Sequence, residues 1–151
     1  MSAIHTIFYA EDDLDDLFIV KQAFQTHNDT IEIIHANNGL EALDLLQNLA
    51  DANTLPCLIL LDINMPGMDG RETLMKIKQH DRLKQIPAVM FSTSSSNLDK
   101  EFASKWNARF FTKPLVYSEM EKIVDTFVAL CDHSTAAVDG EQNQAASGTG
   151  L

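Results

Sequence analysis

Residues 57–70 read CLILLDINMPGMDG. The apolar run from Cys57 to Leu61 has the length of a strand, does not alternate with polar residues, and stops at Asp62. A run with no polar side must be covered on both faces, as in a parallel sheet flanked by helices. Pro66 and Gly67 then mark a turn. Asp69, three residues before Glu72 and ahead of Leu74 and Ile77, forms the capping-box pattern that opens a helix. The segment is therefore read as strand, carboxylate, loop and helix.

The same unit recurs on either side. Apolar runs lie at Ile7 to Ala10, Ile31 to Ala36, Ala88 to Phe91, and Arg109 to Thr112. Between and after them, apolar residues return at spacings of three and four: Leu14, Leu17, Val20 and Phe24; Ala42, Leu45, Leu46 and Leu49; Leu98, Phe102 and Trp106; Met120, Ile123, Val124 and Phe127. A second capping box is read at Ser118 and Glu121. Five strand and helix pairs predict an α/β fold, a doubly wound (βα)5 sandwich with right-handed crossovers and helices on both faces. The last helix is expected to end near Asp132. One domain over 1–132 and a flexible, polar tail over 133–151 follow from that boundary.

Composition narrows the function. The chain has 151 residues, 45% of them hydrophobic, and a net charge of -11. Through Gly70 there are 12 acids against one base, Lys21, whereas from Arg71 onward 10 acids face 10 bases. With no basic patch, nucleic acid is not an expected partner. No run reaches the roughly 18 to 20 apolar residues of a membrane span, and the N-terminus lacks a signal-peptide pattern, so the expected location is cytoplasmic, without membrane contact. Cys57 and Cys131 are too few and too far apart to suggest a disulfide framework or metal motif, and are read as packing residues. The five histidines show no zinc spacing, the glycines form no nucleotide-binding loop, and the acidic run from Asp12 has neither the Gly nor the Glu of an EF-hand.

In a parallel sheet the residues that follow the strands share one edge, and ligands bind there. Those residues are Glu11, Asp12 and Asp13 after the first run, Asp62 after the third, Ser92 at the end of the fourth and Lys113 after the fifth; the second ends in Asn37. Crowded carboxylates repel one another, and a hard cation such as Mg²⁺ relieves that repulsion. A carboxylate nucleophile at Asp62, with Lys113 and Ser92 to hold phosphoryl oxygens, fits phosphoryl transfer to an aspartate. Asp13, Asp15 and Asp16 are read instead as first-turn acids at the positive end of a helix, and Ser92 to Ser96 as a loop with a cap.

The motifs AEDD, LLDINMPGMDG, PAVMFSTS and FFTKP, in that order, resemble the receiver domain of bacterial two-component response regulators over roughly residues 4 to 131. The small single-domain, CheY-like members are the nearest in pattern. The resemblance implies a parallel sheet of order 2-1-3-4-5, with Asp62 as phosphoacceptor and Mg²⁺ held by Glu11, Asp12, Asp62 and the backbone carbonyl of Asn64. Glu11 stands where many members have Asp and is expected to reach the metal through water. Ser92 and Lys113 would contact the phosphoryl group, Ser92 and Phe110 would act as the switch, and Asn64 and Ser94 would tune hydrolysis. A cis Lys113–Pro114 peptide is also implied. The expected partners are a sensor histidine kinase or phosphotransfer protein and a downstream protein target, and a homodimer through exposed helix faces is compatible with the sequence. Two other functions use the same residues: an adaptor that keeps the fold without phosphorylation, and an aspartate-nucleophile phosphatase. The second normally carries an Asp two residues after the nucleophile, where this chain has Asn64.

Overall fold

Residues 5–27, 30–94 and 96–147 are described by a computed structural model, with side chains described through Asp132. Strands and helices alternate: β1 His5–Ala10, α1 Leu14–His27, β2 Ile31–Ala36, α2 Gly39–Asp51, β3 Leu58–Leu61, α3 Gly70–Lys78, β4 Ala88–Ser92, α4 Asn97–Lys105, β5 Arg109–Thr112 and α5 Tyr117–Ser147. The strands form one sheet in the order β2-β1-β3-β4-β5. Every neighbouring pair is parallel, so all five carboxyl ends lie on one edge.

The two-residue period of a strand divides the core into two layers. Phe8, Ala10, Ile59, Leu61 and Met90 pack on one face with Ala42 and Leu46 of α2, Leu74 and Ile77 of α3, and Ala103 of α4. Ile7, Tyr9, Leu58, Leu60, Val89 and Phe91 pack on the other with Val20 and Phe24 of α1 and Val124 and Phe127 of α5. Phe127 meets Phe91 and Phe111 edge-on, with ring centroids 5.2 Å apart in each case. Central strands covered on both sides explain why their sequences show no alternation.

Two helix starts follow the expected chemistry. Asp69 accepts a hydrogen bond from the Glu72 amide at 3.0 Å, and Ser96 accepts from the Leu98 amide at 3.2 Å. The box expected at Ser118 and Glu121 does not open α5. The helix begins one residue earlier, with the Val116 carbonyl accepting from the Glu119 and Met120 amides, so Ser118 already lies in the first turn.

Three further expectations need correction. α5 continues to Ser147, past Asp132, where the apolar spacing ends. Ala, Glu and Gln are good helix formers, and a helix already nucleated on the core extends through them without an apolar stripe. Residues 148–151 lie outside the described residues. Cys57 and Cys131 are not packing residues alone but form a disulfide, with Cα atoms 5.1 Å apart across 74 residues of sequence. The return of α5 along the sheet brings them together, which sequence spacing hides. Finally, among the described residues no peptide bond is cis, so Lys113–Pro114 is trans. That isomer is the lower in energy, and the Lys113 amide still bonds the Ser92 carbonyl at 2.8 Å. Among the described residues no helix is long and apolar enough to cross a membrane.

Candidate functional site

Three strand ends supply the charged groups at the carboxyl edge. Glu11 and Asp12 follow β1, Asp62 follows β3 and Lys113 follows β5. Ligand oxygens of Glu11, Asp12 and Asp62 lie within 4.8 Å of one another. Glu11 and Asp62 are buried while Asp12 is exposed, so the cluster opens to solvent on the Asp12 side. Glu11 is held on both oxygens: the Tyr9 hydroxyl donates to Oε1 at 2.7 Å, and the Asp13 amide donates to Oε2 at 3.1 Å. Lys113 Nζ donates to Glu11 Oε1 at 2.5 Å and to Asp16 Oδ2 at 2.9 Å, and stands 3.7 Å from Asp62 Oδ2.

Burial and charge oppose each other here. Loss of water pushes the Asp62 carboxyl up to about 7; the Lys113 ammonium pulls it down, and Glu11 pushes it up through its charge and a hydrogen bond. Burial acts to lower Lys113, but hydrogen bonds to Glu11 and Asp16 and the charges of Asp62 and Glu11 outweigh it and hold the ammonium above its ordinary value. Tyr9 is raised well above the usual phenol range by burial and then by Glu11. A site made of carboxylate oxygens, two of them buried, fits a hard divalent cation, whose charge removes the Glu11–Asp62 repulsion.

The family model of the response regulator receiver domain matches residues 7–125. The chain belongs to that family. The probable methanogenesis regulatory protein FilR2 of Methanothrix harundinacea is 31% identical to this receiver over 122 residues, 79% of this chain and 78% of its own. Response regulator Rcp1 of Synechocystis sp. is 39% identical over 95 residues, 62% of this chain and 65% of its own. Among solved structures, the phosphorylated cyanobacterial phytochrome response regulator RcpA superposes with a TM-score of 0.76 at 33% identity, covering 83% of this chain and 91% of that one. The Mn(2+)-bound form of Rcp1 superposes with a TM-score of 0.70 at 34% identity, covering 80% and 88%.

The receiver fold brings Glu11, Asp12, Asp62 and Lys113 together, and puts Ser92 at the end of β4, Phe110 on β5 and Asn64 in the loop after β3. Ser92 is fully buried at the end of β4, and its hydroxyl accepts the Ser94 amide at 3.3 Å. Phe110 on β5 is half-buried against the layer that contains Ala103 and Trp106. Asn64 is exposed in the loop after β3. Asp16 was expected to be a solvated first-turn acid, and that reading is incomplete, because its carboxylate binds Lys113. Its partner lies 97 residues away, past β5, so no local spacing reveals it. Tyr9 and His35 also escaped the sequence reading. Tyr9 precedes Glu11 by two residues, on the same side of the strand, and His35 Nε2 is hydrogen-bonded to the Glu11 carbonyl at 2.6 Å. Asp13 does have the helix-start role expected of it, its Oδ1 accepting the Asp15 and Asp16 amides at 2.9 and 3.2 Å.

Proposed function

We propose that this receiver is a signalling switch that takes a phosphoryl group on Asp62 from a histidine kinase or phosphotransfer protein and passes the change to a protein target. The observation that carries the reading is the meeting of Asp62 with Lys113 from β5 and with Glu11 and Asp12 from β1. In the proposed step, an Asp62 oxygen bonds to phosphorus as the bond to the donor's imidazole nitrogen breaks, and the electron pair leaves with that nitrogen. Lys113 has the reach and the fixed charge to hold a phosphoryl oxygen, and Glu11 and Asp16 aim it. Asp12, Asp62 and the Asn64 carbonyl would hold Mg²⁺, with Glu11 acting through water because both of its oxygens are engaged. Such a cation would neutralise charge on the phosphoryl oxygens.

Ser92 supplies a hydroxyl for a further oxygen, and Phe110 would follow it as the second half of the switch. Asn64 and Ser94 would set water access to the phosphorylated state. Exposed Leu14 and Phe18 on α1, with Leu115 and Val116 after β5, flank the site and suit an apolar protein surface that delivers the phosphoryl group. The reading places the chain in the cytoplasm, with no nucleic-acid or membrane partner and no turnover of a small substrate. Intact-mass spectrometry after incubation with acetyl phosphate and Mg²⁺ tests it. A labile gain of one phosphoryl group, absent in Asp62→Asn and without metal, is expected. No gain from either acetyl phosphate or a phosphorylated histidine donor would refute it and favour the adaptor function.

A further inference from the structure

α4 is thinly packed. Of its nine residues, Asp99 and Ala103 are the buried ones, and one of those is a carboxylate. Asp99 is 4% exposed, and its charge is met by Arg71 of α3: Arg71 Nη2 and Nε lie 2.7 and 2.8 Å from Asp99 Oδ1, and Nη1 lies 3.3 Å from Asp69 Oδ2. A buried carboxylate needs such a partner, since losing it leaves an uncompensated charge away from water.

Both ends of this bridge lead back to the phosphoacceptor site. Arg71 follows Gly70, whose amide donates to the Ile63 carbonyl at 2.8 Å, and a Cβ on Gly70 would lie 2.2 Å from the Asp62 carbonyl oxygen. The Arg71 backbone is thus fixed against the end of β3. On the other side, a relay of serines joins Ser92 to α4. The Ser94 amide donates to Ser92 Oγ, the Ser96 amide to Ser94 Oγ and the Leu98 amide to Ser96 Oγ, at 3.3, 3.3 and 3.2 Å. A Ser92 hydroxyl that turns toward Asp62 pulls on the first link of this relay.

We propose that Arg71 and Asp99 form a latch that holds α4 in its resting position and opens when Ser92 engages a group on Asp62. Both are positioning residues, and the inference rests on the phosphoacceptor reading above. Arg71→Gln strands a buried charge only in the latched arrangement, so it favours the open one, in which Asp99 reaches water. Asp99→Asn removes the charge together with its need for a partner, so its effect is smaller. In the double variant no charge is stranded, and it should behave like Asp99→Asn.

The test is titration of the full chain with beryllofluoride and Mg²⁺ by calorimetry, with the fluorescence of Trp106, the sole tryptophan, reporting on the C-terminal end of α4. Arg71→Gln should bind beryllofluoride about fivefold or more tighter than the parent, within the usual range of coupling between sites. Asp99→Asn should tighten binding less, and the double variant should match it. A merely structural contact would lower the melting temperature and leave affinity in place, so unchanged or weaker binding in Arg71→Gln overturns the latch. Should that variant not fold, Asp99→Asn decides: tighter binding with an altered Trp106 response supports the latch, and parental values for both overturn it. A parent with no Asp62-dependent binding refutes the phosphoacceptor reading and the latch together; a normal parent with unshifted variants refutes the latch alone.

Discussion

Asp62 loses water on folding and gains Glu11 as a like-charged neighbour, so its metal-free carboxyl holds a proton up to about pH 7, against 3.8 for an unperturbed group. Between those two values the folded chain binds more proton at this site than the unfolded chain does. The contribution of Asp62 to stability is therefore least unfavourable below about pH 4 and becomes more unfavourable as pH rises through about 7. A cation needs the carboxylate and competes with that proton. Mg²⁺ affinity should accordingly fall about tenfold from a plateau above pH 8 to pH 6, where about a tenth of Asp62 is ionised. Calorimetric titration across that range checks it, and a flat profile would place the metal away from Asp62. Mg²⁺ should also raise the melting temperature of the parent and not of Asp12→Ala. At this scale the sequence exposed the residues that end strands, because topology alone collects them on one edge. It did not expose Asp16 or Tyr9, whose roles depend on where Lys113 and Glu11 point.

At the scale of elements, the β3–α3 junction sets the position of the phosphoacceptor. Gly70 has no room for a side chain, because a Cβ there would lie 2.2 Å from the Asp62 carbonyl oxygen and 2.8 Å from Ile63 Cα. Gly67 differs: its φ of +73° suits glycine, but nothing lies within 4 Å of the position a Cβ would take. Gly70→Ala should push α3 away from β3, cost about 1–3 kcal/mol of stability and slow phosphorylation from acetyl phosphate. Gly67→Ala should cost only about 1 kcal/mol and leave phosphorylation near the parental rate. Equal losses in both would show that the close approach at Gly70 does not position Asp62. Strands and helices were legible because apolar period and burial agree in this fold. The start of α5 was not, because the Ser118–Glu121 spacing also occurs inside a first turn. The bridge between Arg71 and Asp99 joins residues 28 apart on different helices, and no local pattern announces it.

At the scale of the whole molecule, the Cys57–Cys131 disulfide fastens α5 to the start of β3, while Asp62 lies past the other end of that strand, about 17 Å along the chain direction. Cross-linking residues this far apart in sequence restricts the unfolded chain and is worth about 2–4 kcal/mol. Reduction with a small dithiol, or the paired substitution Cys57→Ser and Cys131→Ser, should lower the melting temperature by several degrees, while phosphorylation persists because the site lies at the opposite edge. Cytoplasmic thiols are normally kept reduced, and this bond is the feature of the chain that runs against a cytoplasmic location. Cys131 is fully buried while Cys57 is partly exposed, so a small dithiol reaches the bond at the Cys57 sulfur. Free-thiol titration of protein isolated under alkylating conditions measures how much of the bond is closed in the cell. If the thiols are free there and reduction in vitro leaves the melting temperature unchanged, the core contacts of Phe127 and Val124 hold α5 without the cross-link. A closed bond with a reduction-sensitive melting temperature makes it part of what keeps α5 in place.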